Sequence, residues 1–183
     1  MTSILKVDSI QNSAGTVIMP VMAGGIIQTQ FTQFTGTSVT ACGADVYTIF
    51  SDLTVDITPT ASNSIIMLTA MVNGEFSANQ AHNVTWSFFR DSTRLGHPTS
   101  GARNVGIQMG ANISLEANSD TTPEGAYYTF FDSPSSTSQI TFKVCVRMGS
   151  SAANYNLNRN QSDADSISNE RGTSFIMAQE IAQ

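Results

Sequence analysis

Ile140-Thr141-Phe142-Lys143-Val144-Cys145-Val146-Arg147-Met148 decides the fold. Ile140, Phe142, Val144, Val146 and Met148 share one parity, and Thr141, Lys143, Cys145 and Arg147 share the other. A period of two marks a strand with one side against a core. Upstream, Tyr127-Tyr128-Thr129-Phe130-Phe131 packs four aromatics into five positions. Successive strand side chains point to opposite sides, so these aromatics cannot all enter one core. One side of that strand is expected to meet a neighbour; the plainer alternative is a central strand buried on both sides.

Working outward, further strand candidates are Ile26–Phe34, Val46–Ile57, Ser64–Val72, Val84–Phe89, Val105–Ile113, Asn154–Asn158 and Ser174–Ile181. In Val46–Ile57, Leu53, Val55 and Ile57 alternate with Thr54 and Asp56. Ser64–Val72 is apolar on both sides and reads as a central strand. Val105–Ile113 contains Gly106 and Gly110 and is expected to bend or bulge. Pro59, Gly74, Gly96-His97-Pro98, Pro123 and Ser133-Pro134 punctuate the chain. About eight or nine strands with turn-rich links and no amphipathic helix predict a two-sheet antiparallel sandwich.

Residues 1–22 stand apart from the head at 23–183. Ile4, Leu5, Val7 and Ile10 are spaced by polar residues, then Asn12-Ser13-Ala14-Gly15 turns into a second short apolar run ended by Pro20. Two such pieces are too small to fold alone. Their apolar side chains need a partner surface, so this extended segment is expected to be an attachment element. Fully extended it reaches roughly 70 Å.

The 183 residues are 40% apolar but only 12% charged, with a net charge of −6. An ordinary soluble domain carries about 25% charged residues. Ser, Thr, Asn, Gln and Gly take up the difference, which suits a rigid β scaffold that stacks on copies of itself. The acidic balance argues against nucleic acid and against an anionic membrane surface as partners. No signal-peptide core is expected after Lys6, and Thr16–Ile27, broken by Pro20 and Gly24-Gly25, is too short to span a bilayer.

Catalytic constellations are not found, and an enzyme is not expected. His82 and His97 lie at no metal-ligand spacing to a cysteine or carboxylate. No serine sits in a Gly-x-Ser-x-Gly elbow, and no phosphate-binding glycine loop occurs. Asp163 and Asp165, near Asn158 and Asn160, lack the glycine and terminal glutamate of a calcium loop and read as a solvated loop. Asp52 and Asp56 would lie roughly 13 Å apart on one strand face, which reads as surface acids. Cys42 and Cys145 sit among β-type residues and read as buried free thiols. Trp86 reads as core. No cofactor is expected.

Two stretches carry a resemblance. Tyr128-Thr129-Phe130-Phe131-Asp132-Ser133-Pro134, then Thr141-Phe142-Lys143-Val144, Asn156-Leu157-Asn158-Arg159 and the closing Arg171–Ala182, resemble a block of phage tail-fibre-like and other virion structural proteins. Ile4–Gly15 is similar to the opening of many cyanophage and marine-phage fibre and virion proteins. Cys145 and the Ala178-Gln179 step depart from the pattern. The resemblance implies a jelly roll of the tumour-necrosis-factor and complement-C1q shape, assembled as a homotrimer on the virion exterior. Tyr127, Tyr128, Phe130 and Phe131 would then lie near the threefold axis. It implies a capsid decoration (cement) or short fibre protein held to a major capsid or tail protein through Ile4, Leu5, Val7 and Ile10. The competing reading is a receptor-binding tail-fibre tip that recognises host surface glycans. A glycan-degrading enzyme ranks last, for want of a paired acid site.

Overall fold

The computed structural model describes residues 23–77, 83–113, 121, 123–149 and 151–183. Among these, the regular elements are all strands. They are β1 (Ile26–Phe34), β2 (Ser38–Cys42), β3 (Tyr47–Ile57), β4 (Ile65–Val72), β5 (Gly74–Phe76), β6 (Val84–Arg90), β7 (Thr93–Arg94), β8 (Gln108–Met109), β9 (Asn112–Ile113), β10 (Glu124–Asp132), β11 (Ile140–Met148), β12 (Ala153–Leu157) and β13 (Ser174–Ile181).

Sheet one runs β1-β13-β4-β10-β9, sheet two runs β3-β11-β6-β7 with β8 on β6, and a small third sheet runs β2-β12-β5. Every ladder is antiparallel. Consecutive strands repeatedly cross between sheets one and two, giving a jelly-roll-like sandwich. The long strands fall where the alternation places them, and β4 lies at the centre of sheet one. The short ones (β2, β5, β7) carry too few residues to show a period. Val105–Ile113 becomes two paired dipeptides, β8 and β9, separated by Gly110 at φ +67°.

The interior is where inward parities meet. Leu68, Ala70, Ile176 and Tyr128 of sheet one face Val55, Phe142, Val144 and Phe88 of sheet two, all buried. β3 keeps its inward phase through a bulge. Its ladder with β11 shifts register between Lys143 and Cys145, so Phe50 and Leu53, three apart, both point inward. Beside the third sheet, Trp86 stacks on Phe50 at 5.9 Å and meets Tyr155 edge-on at 5.5 Å, and Tyr155 meets Phe76 at 4.7 Å. The polar tips are satisfied: Trp86 Nε1 donates to the Gly110 carbonyl at 2.9 Å and the Tyr155 hydroxyl to the Glu124 carbonyl at 2.7 Å.

Sheet two is covered in part on its outer side. Val105 O accepts from the outward-facing hydroxyls of Tyr47 and Thr85, while Leu95 N–H donates to Phe88 O and Ile107 N–H to Trp86 O along the β6 edge. Gly106 permits this approach, because a Cβ there would lie 2.7 Å from the Thr85 Cβ and from the Trp86 carbonyl oxygen. Cys145, on the outward parity of β11, is therefore fully buried.

Asn158 ties three corners together. Its Nδ2 donates to Phe34 O at 2.7 Å and Gly36 O at 2.8 Å, and its Oδ1 accepts from Ser174 Oγ at 2.6 Å. Its backbone N–H donates to Asn73 O. It sits at φ +62°, where asparagine is among the few tolerated side chains. Asp132, before the Ser-Pro turn, is likewise buried and takes Arg90 of sheet two at 3.0 Å through both carboxylate oxygens. Substituting Asn158→Ala removes the bonds to Phe34 O, Gly36 O and Ser174 Oγ and places alanine at a left-handed φ, and is expected to cost about 3 kcal/mol of folding stability. A urea titration reads this as a lower midpoint.

Candidate functional site

Among the described residues, nothing covers the outer side of sheet one. Cross-strand pairing arranges it in three rows of four: Gln33-Phe175-Met71-Tyr127, Phe31-Met177-Thr69-Thr129 and Thr29-Gln179-Met67-Phe131. None of these side chains is charged. Phe31 is 66% exposed, Phe131 60% and Tyr127 57%. At roughly 200 Å² per aromatic side chain, those three alone show water about 350 Å². Spread across the face with methionine and threonine side chains between them, they make an area of the size that the largest, often functional, apolar patch of a monomer reaches.

The polar members bond among themselves. The hydroxyls of Thr69 and Thr129 lie 3.2 Å apart, and Gln179 Nε2 donates to Thr29 Oγ1 at 3.2 Å. Covering the face would therefore leave few polar groups stranded. Met67, Met71 and Met177 are half-buried and pliable, and they fill the space between the rings. At the foot of the face Ile26, opposite Ile181, is 53% exposed, just after residues 1–22 join the head.

Of the four aromatics expected at a subunit contact, the strand alternation gives Tyr127 and Phe131 to this face. Tyr128 points the other way, enclosed on Phe88 at 4.7 Å with its hydroxyl donating to Ser87 O at 3.0 Å. Phe130 is half-buried against the core. Ile4, Leu5, Val7 and Ile10 lie outside the described residues, as does His82. Phe31, the most exposed of the three rings, escaped the sequence reading. It stands alone in a Thr/Gln-rich strand, and only the cross-strand register joins it to Met177 and the β10 aromatics.

The other titratable groups make local contacts or are buried. Cys42 and Cys145 are free and buried, and burial pushes both thiols up to about 12. Asp163 accepts a two-pronged contact from Arg171 at 2.8 and 3.0 Å, which holds its carboxyl below the usual range. Asp52 accepts from Ser38 at 2.7 Å and Asp56 from Thr141 at 2.6 Å. His97 is exposed. Among the described residues no three His, Cys, Asp or Glu gather closely enough to hold a metal ion.

Two buried glutamates brace the ends of sheet one. Glu180 accepts from Thr60 N–H at 2.7 Å, Thr60 Oγ1 at 2.8 Å, Ser64 Oγ at 2.7 Å and Gln28 Nε2 at 3.1 Å. Burial raises its carboxyl pKa, but these donors outweigh burial and hold it below the usual value. At the opposite end Glu124 accepts from the Phe76 N–H at 2.9 Å. Burial, aided by the charge of Glu75, pushes it up to about 7.

No protein-family model matches the chain, and no curated protein matches its sequence.

Glu124 gives a pH prediction with a definite sign. Its folded-state pKa of about 7 lies above the ordinary 4.5, so the folded chain keeps a proton that the unfolded chain releases. That contribution is complete below about pH 4.5 and is lost as pH rises through about 7. Melting temperature is expected to fall between pH 5 and pH 8, and Glu124→Gln, which still accepts the Phe76 N–H, to flatten that fall.

Proposed function

We propose that this chain is a structural virion protein of a bacteriophage, a homotrimeric capsid decoration or short fibre protein. Residues 1–22 attach it to a major capsid or tail protein and the sandwich forms the outward head. The observation that carries the reading is the uncharged outer face of sheet one. A finished sandwich that leaves Phe31, Tyr127 and Phe131 in water is built to be covered, and a surface without charge suits a second copy of itself. The face alone requires only another copy. The number three, and the virion, are carried by the resemblance of Ile4–Gly15 and of Tyr128–Ala182 to virion proteins. The role in this assembly is mechanical, with no catalytic step assigned.

The expected native mass in solution is that of a trimer, and a stable monomer overturns the assembly. Phe31 and Phe131 are mostly exposed, so replacing both with Asn is expected to change the stability of one copy by less than about 1 kcal/mol. The same double variant is expected to run as a folded monomer by sedimentation and circular dichroism. Attachment is tested by deleting residues 1–19: the trimeric head is expected to lose virion binding, and retained binding removes the attachment role. Copy counting in virions separates hundreds of decorations from a dozen fibres. Binding of the head to host surface glycans would favour the receptor-reading alternative.

A further inference from the structure

We infer that the free edge of β1 is a strand-pairing site, and that it takes the β1 edge of a second copy in antiparallel register. This goes beyond the trimer reading. A ring is closed by the face of sheet one, whereas this contact runs along the main chain at its edge and joins a copy of one ring to a copy of another.

β1 is the last strand of sheet one and pairs with β13 on one side. Among the described residues, its backbone bonds are those to β13 and the Asn158 donation to Phe34 O. The other side of the strand therefore offers its main-chain N–H and C=O groups to water. Such a row is a template for another strand, and proteins blunt it with charge, proline, bulges or shortness. β1 is nine residues long, Ile26-Ile27-Gln28-Thr29-Gln30-Phe31-Thr32-Gln33-Phe34, with no charged residue and no proline. Its register shift falls at the start, between Ile26 and Gln28. None of its residues is buried.

The other sheet ends are guarded. β7, β8 and β9 are two residues long, β5 three and β2 five. β3 is longer than β1 but carries Asp52, Asp56 and a bulge. Among the described edges β1 alone is long, uncharged and in unbroken register from Gln28 to Phe34.

Main-chain groups accept any extended strand, and side chains decide which one. Laid antiparallel on itself with Gln30 opposite Gln30, β1 pairs over its whole length. Thr29 then faces Phe31, Gln28 faces Thr32 and Ile26 faces Phe34. No charge opposes a like charge, the contact that destabilises cross-strand pairs. Directly opposite residues share a face, so the outer rows run on. Phe31-Met177-Thr69-Thr129 continues through the second copy's Thr29 into its Gln179, Met67 and Phe131. The uncharged surface doubles in width without a break. A two-fold axis through Gln30 gives both copies identical bonds, the commonest kind of contact between identical chains.

The test uses the full chain with Gln30→Cys, concentrated and oxidised by air with a copper catalyst. Opposite Cα atoms of an antiparallel pair lie about 4.5–5.5 Å apart, within disulfide reach. A covalent dimer is expected. Gln33→Cys is the control: in this register its two copies stand about 20 Å apart, so no dimer is expected. Cys42 and Cys145 are buried and do not compete. In parallel, Gln30→Lys, at an exposed position, sets like charges face to face. It is expected to remove the species of twice the ring's mass that the wild-type chain forms at high concentration, and to leave the ring. Equal cross-linking of both cysteine variants, or none from Gln30→Cys, overturns the pairing while the trimer stands. Loss of virion binding in Gln30→Lys without a link between copies assigns the edge to a strand of another protein and overturns it too. A wild-type monomer whose Gln30→Cys variant still links overturns the ring and leaves the edge contact.

Discussion

Successive side chains of a strand point to opposite sides, so each sheet in this sandwich has two faces to satisfy. Sheets one and two spend one face each on the common core. The outer face of sheet two is covered in part by the chain itself, through Val105 and the bare Gly106. The outer face of sheet one has no such cover among the described residues, and its side chains are uncharged. Charge follows the same division. Lys143 and Arg147 point outward on sheet two, where the Arg94 and Arg147 guanidiniums flank the Tyr47 ring at 5.0 and 5.5 Å.

The low overall charge has a structural counterpart. Where carboxylates are buried they are few and each has a task. Glu180 gathers donors from β1 and from the link between β3 and β4, and Asp132 reaches across to Arg90 of the other sheet. Asn158 does similar work without charge, and its left-handed backbone turns the chain between β12 and the link to β13. Asp132 and Asn158 both belong to the stretches that resemble virion proteins. Their burial and bonding supply a physical reason for those residue types at those places, independent of what the assembled protein does.

The resemblance and the geometry bear on different questions. The rows of Phe31, Tyr127 and Phe131 argue for a covered face. They are silent on where in a particle that face is buried. The sequence resemblance carries the proposal of a particle and, for the side chains that meet, offers only the β10 aromatics. The proposed assembly joins the two at Tyr127 and Phe131, which belong to both arguments.

Alternation in Ile140–Met148 determined a strand with one dry side, and the eight or nine turn-separated strand candidates without an amphipathic helix made the chain a β-sandwich. It also determined that the β10 aromatics divide between two sides, and it placed β4 centrally through its double-sided apolarity. Three things were decided only in three dimensions. Phe31 joins the open face because register, a relation between strands distant in sequence, sets it opposite Met177. The burial of Cys145, already read from its neighbours, falls on the outward parity of β11, and only the fold brings cover to that side. Tyr128 is in the core while Tyr127 is in water because the phase of a strand, unlike its period, depends on which side the second sheet packs.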